Sequence, residues 1–150
     1  MNAFTDIVSA VLALLRAGDA GPAIAPRIER NRLRIQPADV DQAVVVRSDN
    51  AVPEQGAILH APVDWQTSFV VDCYARAVTD EEPDIVVAPL MNAVYARILT
   101  NQGLGDLDTW ISPGAIDWDF AATGESTVCV SLTFSVQHRT NHNSLESPLP

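Results

Sequence analysis

The sequence predicts an α+β domain in which a mainly antiparallel sheet of about four to five strands packs two helices on one face. Apolar residues recur at helical spacing near the start of the chain and again after residue 80. Apolar and polar residues alternate over 65–77 and 126–139, which is typical of strands with one buried face. The predicted order is therefore helix, three strands, helix, two strands.

Length and composition limit the classes of function. The chain has 150 residues, which fits one domain, and 47% of them are hydrophobic. Nineteen acidic residues oppose nine basic residues, all arginine, so the formal charge is −10. Because phosphate affinity comes from clustered cations, this balance argues against a protein that grips nucleic acid. No apolar run approaches the roughly 18 residues of a membrane span, so we expect a soluble protein.

The first helix is predicted to begin at Thr5 as N-cap and to end at Gly18. Asp6 lies ahead of the apolar run and no basic residue opens the chain, so an amphipathic helix is favoured over a signal peptide. Two cysteines are too few for a disulfide framework. We therefore expect a protein of the reducing cytoplasm. The apolar positions of this helix follow i, i+3, i+4 spacing: Ile7, Val8, Val11, Leu12 and Leu15.

Residues 19–38 are predicted to be irregular, because three prolines interrupt the segment. Four of the nine arginines lie within eight residues there, and the last three alternate with other residues as on an edge strand or an extended arm. Three interpretations stay open: scattered solubility charge, a patch that docks onto the acidic surface of another subunit, and nucleic-acid binding. The third is the least favoured, because no stacking aromatic residues interleave with the arginines. The four are Arg27, Arg30, Arg32 and Arg34.

Strands are predicted at 42–47, 57–60, 65–77, 115–121 and 126–139, where residues 57–60 follow a turn-rich loop and extend the returning strand. The register predicts Cys73 on the inner face and Cys129 on the outer face, so no disulfide is expected between them. The last strand, at about 45 Å, is long enough to extend beyond the sheet toward a neighbour. Residues 1–139 are predicted to form the single domain, and residues 140–150 a flexible tail.

The second helix is predicted from an acidic start at 80–84 and an apolar stripe that runs to Ile98. Pro89 is unfavourable inside a helix. Either the regular helix begins near Ala88 with Pro89 in its first turn, or that turn is distorted. Gly103 and Gly105 are predicted to end it.

Residues with catalytic or metal-binding patterns are scarce. Asp117 and Asp119 share a strand face and resemble an acid pair or a divalent-metal site, but a solvated strand face is the favoured interpretation. His138 and His142 lie at a strand end and in the tail, where i, i+4 spacing does not converge on a metal. The sequence contains none of the phosphate-loop, dinucleotide, nucleophile-elbow or zincin motifs. We predict no catalytic, metal or cofactor-binding residues, and a protein that is not an enzyme.

Four stretches together suggest a family. They are the alternating strand WQTSFVVDCYARA, the helix DEEPDIVVAPLMNAVYARIL directly after it, the stretch NQGLGDLDTW, and the hairpin IDWDFAATGESTVCVSLTFSVQHRT. Over residues 1–139, as an order of elements, the chain resembles the tail terminator (minor tail) proteins of long-tailed, lambda-like bacteriophages.

This resemblance implies a structural virion protein of the head-proximal end of the tail, assembled in the host cytoplasm. Family members form a ring, hexameric in lambda-like phages, that caps the tail tube, ends its polymerisation and joins the tail to the head connector. The implied partners are further copies of the chain, the tail tube protein and the head connector. DNA passes through the lumen without specific binding. Six copies at −10 each carry −60, and an acidic lumen repels phosphate.

Contacts between subunits and with the tube are expected from the arginine segment, the 49–64 loop and the outer face of the last strand. The alternatives are another head–tail joining or neck protein, a tail tube protein, and, more distantly, a small intracellular enzyme or ligand-binding domain. The last would need convergent polar groups in a concave apolar pocket. The interface residues predicted in this way are Arg27, Arg30, Arg32, Arg34, Asp49, Glu54, Trp110, Ser131, Thr133 and Ser135.

Overall fold

The computed structural model describes residues 2–30, 41–54, 59–77, 81–104, 107, 109–119 and 127–147. In these ranges two helices accompany a five-stranded sheet of strand order β1-β2-β3-β5-β4. Strand β1 is parallel to β2, and the other neighbours are antiparallel. The predicted α+β class is confirmed. The elements are α1 (Ala3–Leu15), β1 (Arg27–Arg30), β2 (Gln42–Glu54), β3 (Val63–Arg76), α2 (Pro83–Thr100), β4 (Trp110–Asp119) and β5 (Thr127–Thr140).

One face of the sheet and both helices enclose the main hydrophobic core. Alternate residues of β3 and β5 enter it, because successive side chains of a strand point to opposite faces. Cys73 lies in this core and Cys129 on the opposite face, as predicted, and both are free thiols. The sheet residues of the core are Ile28, Val44, Val46, Phe69, Val71, Cys73, Ala75, Ile111, Val128, Val130, Leu132, Phe134 and Val136.

Helix α1 begins and ends differently from the prediction. Its N-cap is Asn2, whose Oδ1 accepts a hydrogen bond from the Thr5 backbone N–H at 3.0 Å. The prediction of Thr5 as N-cap was wrong: Thr5 lies inside the first turn, where its hydroxyl donates to the Asn2 carbonyl at 2.9 Å. The helix ends at Leu15, and Gly18 instead forms a short bridge with Gly21.

Helix α2 starts five residues earlier than Ala88. Pro83 occupies its first turn, where a missing N–H costs nothing, and Pro89 lies inside the helix. Without an N–H at Pro89, the carbonyl of Ile85 receives no bond from the next turn. Both residues are exposed, so water can satisfy that carbonyl. The helix therefore tolerates Pro89 on its solvent side.

Two strands are longer than predicted. Strand β2 continues through residues 49–54, which the prediction assigned to a loop, after a register shift between Ser48 and Asn50. Pro53 lies near the end of this strand opposite Trp65 of β3, beyond the Ala43–Val46 stretch that pairs with β1, and proline is tolerated where one side of a strand has no partner in the described ranges. Strand β4 begins at Trp110, ahead of the predicted residue 115, with a register shift between Pro113 and Ile116. The predicted turn at 123–124 lies outside the described residues.

The chain after β5 turns back toward the start of α1. The backbone N–H of Ala3 donates to the carbonyl of Leu145 at 2.8 Å, and that of Asn141 donates to Glu146 at 3.0 Å. The flexibility of this tail stays a prediction, and residues 148–150 lie outside the described ranges. Neither of the two helices described is both long and apolar enough to cross a membrane.

Candidate functional site

The described arginines of the predicted cluster make contacts within the chain. Arg30 donates to Ser9 Oγ at 2.7 Å and to the Thr5 carbonyl at 3.1 Å, which fastens β1 to α1. Arg27 Nε donates to Glu29 Oε1 at 3.0 Å. Arg32 and Arg34 lie outside the described residues. A role of this cluster between subunits therefore stays a prediction.

The outer face of the sheet carries a hydrogen-bonded network centred on Asp72 of β3. One of its carboxylate oxygens accepts from Arg47 Nε at 2.8 Å, and the other accepts from Ser131 Oγ at 2.6 Å. The hydrogen bond from Arg47 to Asp72 raises the pKa of that arginine. Asp72 is only 7% exposed although it lies on the face opposite the helices. Ser131, a predicted interface residue, thus joins β5 to β3.

Two further groups beside this network are neutral at physiological pH. Burial raises the pKa of the Cys129 thiol to about 11, and burial also raises the pKa of the Tyr74 hydroxyl. In the core, burial likewise raises the pKa of Cys73. A nucleophilic cysteine requires the opposite shift, so neither thiol is activated for chemistry.

The outer face continues toward the far end of β5. Gln66 Nε2 donates to Ser135 Oγ at 3.0 Å, and Arg139 Nε donates to Asp64 Oδ1 at 2.7 Å. Thr133 lies between Ser131 and Ser135 on the same face and is half-buried. The structure thus brings the three predicted β5 residues together in one polar row.

A groove of about 450 Å³ opens where this row ends. Two predicted interface residues line it: Glu54, at the end of β2, and Trp110, which is 62% exposed at the start of β4. Asp49 is exposed on β2 but is not among the residues that line the groove. The lining is formed by Glu54, Asp64, Trp65, Thr109, Trp110, Gln137, His138 and Arg139.

His138 forms the buried wall of this groove. Its Nε2 lies 2.6 Å from Thr67 Oγ1, and the ring of Phe4 meets it edge-on at 5.0 Å. The Nδ1 atom has no hydrogen-bond partner in the part of the chain that the structure describes. Burial lowers the pKa of His138, which favours the neutral ring. The sequence indicated only that His138 lies at a strand end.

An exposed apolar surface that was not predicted from the sequence lies between α2 and β4. Ile116 and Trp118 point to the helix side of the sheet, as their alternation with Asp117 and Asp119 predicts, but Trp118 remains 49% exposed beyond the edge of the core. Ile85 of α2 is 61% exposed. A groove of about 470 Å³ separates helix and strand, and it is lined by Asp84, Ala88, Met91, Asn92 and Trp118. Positions 84, 88, 91 and 92 lie on one side of α2 because they are spaced by three, four or one residues along a helix, and this spacing was the sequence signal for the groove.

Asp117 and Asp119 lie on the opposite side of β4 from Trp118 and are exposed. Across the described ranges, no three His, Cys, Asp or Glu residues lie close enough together to hold a metal ion. The pair contributes negative charge to this edge of the sheet.

Comparisons with known proteins give little further guidance. No protein-family model matches the chain, and no curated protein matches it. Among solved structures, the chain is similar to the sheath/tube terminator of an extracellular contractile injection system, PVC, determined by cryo-EM in the extended state. The match has a TM-score of 0.48 and 14% sequence identity, and it covers 97% of this chain but 60% of that chain.

Proposed function

We propose that the chain is a tail terminator subunit, whose copies form a ring that caps the tail tube, ends its polymerisation and joins the tail to the head connector. DNA would pass through the acidic lumen without being held. The proposal starts from the resemblance of the sequence to phage tail terminators. The structural observation that carries it is a sheet with two unlike open edges, of which the β4 edge exposes large apolar side chains.

Unlike edges favour a particular kind of self-association. Within the described ranges, β1 and β4 each have one strand neighbour, so both ends of the sheet are open. Trp118 and Ile116 are exposed at the β4 edge, whereas Ile28 of β1 is buried. A contact between two different surfaces of the same chain is heterologous, and such contacts close into rings when the rotation permits. A ring is what a terminator needs.

In this proposal the predicted interface residues form two groups: one contacts neighbouring copies, and the other contacts the tube or the connector. The arginine cluster belongs to contacts between neighbouring copies. The polar row of Ser131, Thr133 and Ser135 and the groove at Glu54 and Trp110 remain for the tube or the connector, because they lie on the outer face and at one end of the sheet. The expected hexamer follows from the family resemblance.

The first test is native mass by light scattering behind size exclusion, at low and high salt across a concentration series. We expect a discrete species near six times 16.2 kDa, which dissociates in high salt because charge contacts are screened. Added tail tube protein should give tubes of limited length, capped by that species. A monomer at every concentration that also leaves tube growth unchanged would contradict the proposal.

A charge reversal tests the arginine cluster separately. Arg32→Glu combined with Arg34→Glu should weaken the ring and leave the monomer folded, as judged by circular dichroism. The matched control, Arg76→Glu combined with Arg139→Glu, changes the net charge equally but away from the cluster, and it should leave the ring intact. Equal assembly of both variants would remove the cluster from the interface.

A further inference from the structure

We propose that the groove at Glu54 and Trp110 binds an arginine side chain of a partner protein, whose guanidinium stacks on the indole of Trp110 and pairs with the carboxylate of Glu54. The inference rests on the proposed function for the identity of that partner, the tube or the connector, and it assigns the chemistry of the surface that the partner presents. We call this site the cation groove. The side chains that the argument uses are those of Glu54, Asp64, Trp110, Gln137 and Arg139.

The register of the strands brings these five side chains onto one surface. Glu54 of β2 lies opposite Asp64 of β3, and Asp64 lies opposite Arg139 of β5. In the next row, Gln137 of β5 lies opposite Trp110 of β4. Paired residues of neighbouring strands share a face, and so do residues two apart along one strand. The cation groove therefore lies on the outer face, at the end of the sheet where β2 and β5 end and β3 and β4 begin.

One carboxylate of the cation groove is paired, and the other is open to a partner. Arg139 Nε donates to Asp64 Oδ1 at 2.7 Å, and Arg139 Nη2 donates to Asp64 Oδ2 at 3.4 Å. The charges of Asp64 and Arg139 therefore offset each other. Glu54 is exposed, and its carboxylate makes no hydrogen bond or ion pair within the described ranges. The charge that remains in the groove is negative, so the complementary occupant is a cation.

Trp110 restricts the kind of cation. It is 62% exposed at the start of the edge strand β4, so a partner can reach its indole ring. Cations are attracted to the face of tryptophan, and arginine is found there more often than lysine. A guanidinium is planar and can stack on a ring while its N–H groups donate to a carboxylate, whereas an ammonium is a compact point charge. An exposed tryptophan and an open carboxylate in one groove therefore favour arginine.

Contacts on both sides of the sheet hold the groove in shape before a partner arrives. Thr109 Oγ1 donates to the Gln102 carbonyl at 2.8 Å, which fixes the backbone directly before Trp110. On the helix side of the sheet, Trp65 Nε1 donates to Thr140 Oγ1 at 2.8 Å, which ties β3 to β5 beneath the groove. A preformed site loses little conformational entropy on binding.

The test uses the full chain and a probe that carries a single arginine. N-acetyl-arginine amide is added to the isotope-labelled protein, and NMR follows the three indole N–H signals, with Trp110→Phe identifying that of Trp110. We expect a saturable shift of the Trp110 signal and no shift of the Trp118 signal, because Trp118 is exposed at the other end of β4 and on the other face.

Two further probes test the charge of the occupant. N-acetyl-citrulline amide is nearly isosteric with the arginine probe but neutral, and it should bind about fivefold more weakly because it cannot form an ion pair with Glu54. Equal binding of the two probes overturns the inference. Stronger binding of N-acetyl-aspartate amide would identify an anionic occupant and overturns it as well.

Three substitutions should change the affinity for the arginine probe in opposite directions. Trp110→Ala and Glu54→Gln should each weaken binding about threefold or more. Arg139→Gln should strengthen it, because the Asp64 carboxylate then also faces the groove without a partner. Trp118→Ala is the matched control and should bind like wild type. NMR signals of the probe give the dissociation constants, and circular dichroism verifies that each variant folds. Weaker binding in Arg139→Gln would contradict a groove that selects cations.

The outcomes separate this inference from the proposed function. A chain that binds the arginine probe at Trp110 but forms no ring, alone or on tube protein, contradicts the proposed function and leaves the cation groove standing. A chain that forms a ring and caps tubes but binds the charged and neutral probes equally leaves the terminator proposal standing and overturns the cation groove.

Discussion

The two faces of the sheet hold buried side chains by different means. On the inner face, Phe69 and Phe134 stack at 5.3 Å between the sheet and the helices, and the surrounding residues are apolar. On the outer face, Asp72 is also buried, and Arg47 and Ser131 donate hydrogen bonds to its oxygens. Burial of apolar area stabilises the inner face. On the outer face, hydrogen bonds between polar groups offset the cost of burying them. Substitutions on the two faces should therefore fail for different reasons.

The largest expected effect is on the inner face. Phe134→Ala removes a fully buried ring and leaves a cavity, which should lower the free energy of unfolding by about 3–5 kcal/mol. Urea denaturation followed by circular dichroism measures this change. Trp118→Ala is the comparison, because a half-exposed ring leaves little cavity. A cost below about 1 kcal/mol for Phe134→Ala would mean that the inner face can collapse around the gap.

The outer network should give the next effect. Asp72→Ala leaves the Ser131 hydroxyl and the Arg47 guanidinium without their acceptor, which should cost about 1–3 kcal/mol. Asp72→Asn retains an amide oxygen as acceptor and should lose less. The same denaturation experiment ranks the two. An Asp72→Ala variant as stable as wild type would show that this network does not contribute to the free energy of unfolding.

His138, which lies at one end of the inner face, is expected to make the stability of the fold depend on pH. Burial holds the pKa of His138 below its usual 6.5, so below that pH the unfolded chain binds the proton more readily than the folded one. This contribution to stability is present above about pH 6.5 and is lost as the pH falls below it. Melting temperatures between pH 7 and pH 5 should fall in wild type and fall less in His138→Gln, which keeps a polar group for Thr67. Parallel slopes would assign the pH dependence to other groups.

The smallest effect is expected at the exposed ion pair of Asp64 and Arg139. The hydrogen bond from Arg139 lowers the pKa of Asp64, but both side chains lie in water, which screens their attraction. Asp64→Ala should therefore leave the free energy of unfolding at neutral pH unchanged within error. If Asp64→Ala lowered the free energy of unfolding as much as Asp72→Ala does, the difference in exposure would not explain how much each carboxylate contributes to stability.

Alternation along single strands predicted the faces correctly. Phe69, Cys73 and Leu132 lie inside, and Cys129 lies outside, because a period of two leaves each strand with one register against a hydrophobic core. Element ends were less predictable. Asn2 displaced Thr5 as N-cap, and Pro53 was taken as a loop signal although it lies in a strand whose outer edge needs no donor at that position.

The candidate surfaces, like the ends of the elements, were predicted only in part from the sequence. Arg30 was assigned to an arm by its spacing, and only the fold reveals that it donates to Ser9 and Thr5 of α1. Trp118 was expected to face inward with the core. It does face the helix side, but β4 is the last strand, so the helices end before they cover it.

The sequence by itself determined the α+β class, the two helices, the inner face of β3 and β5, and the acidic balance of the chain. These follow from local periodicity and composition, which each segment carries regardless of its neighbours. The tertiary structure decided strand order, and with it which strands are edges, which apolar residues remain exposed and which charges are paired. Those properties depend on contacts between segments far apart in the chain, such as Arg47 with Asp72, which no local pattern specifies.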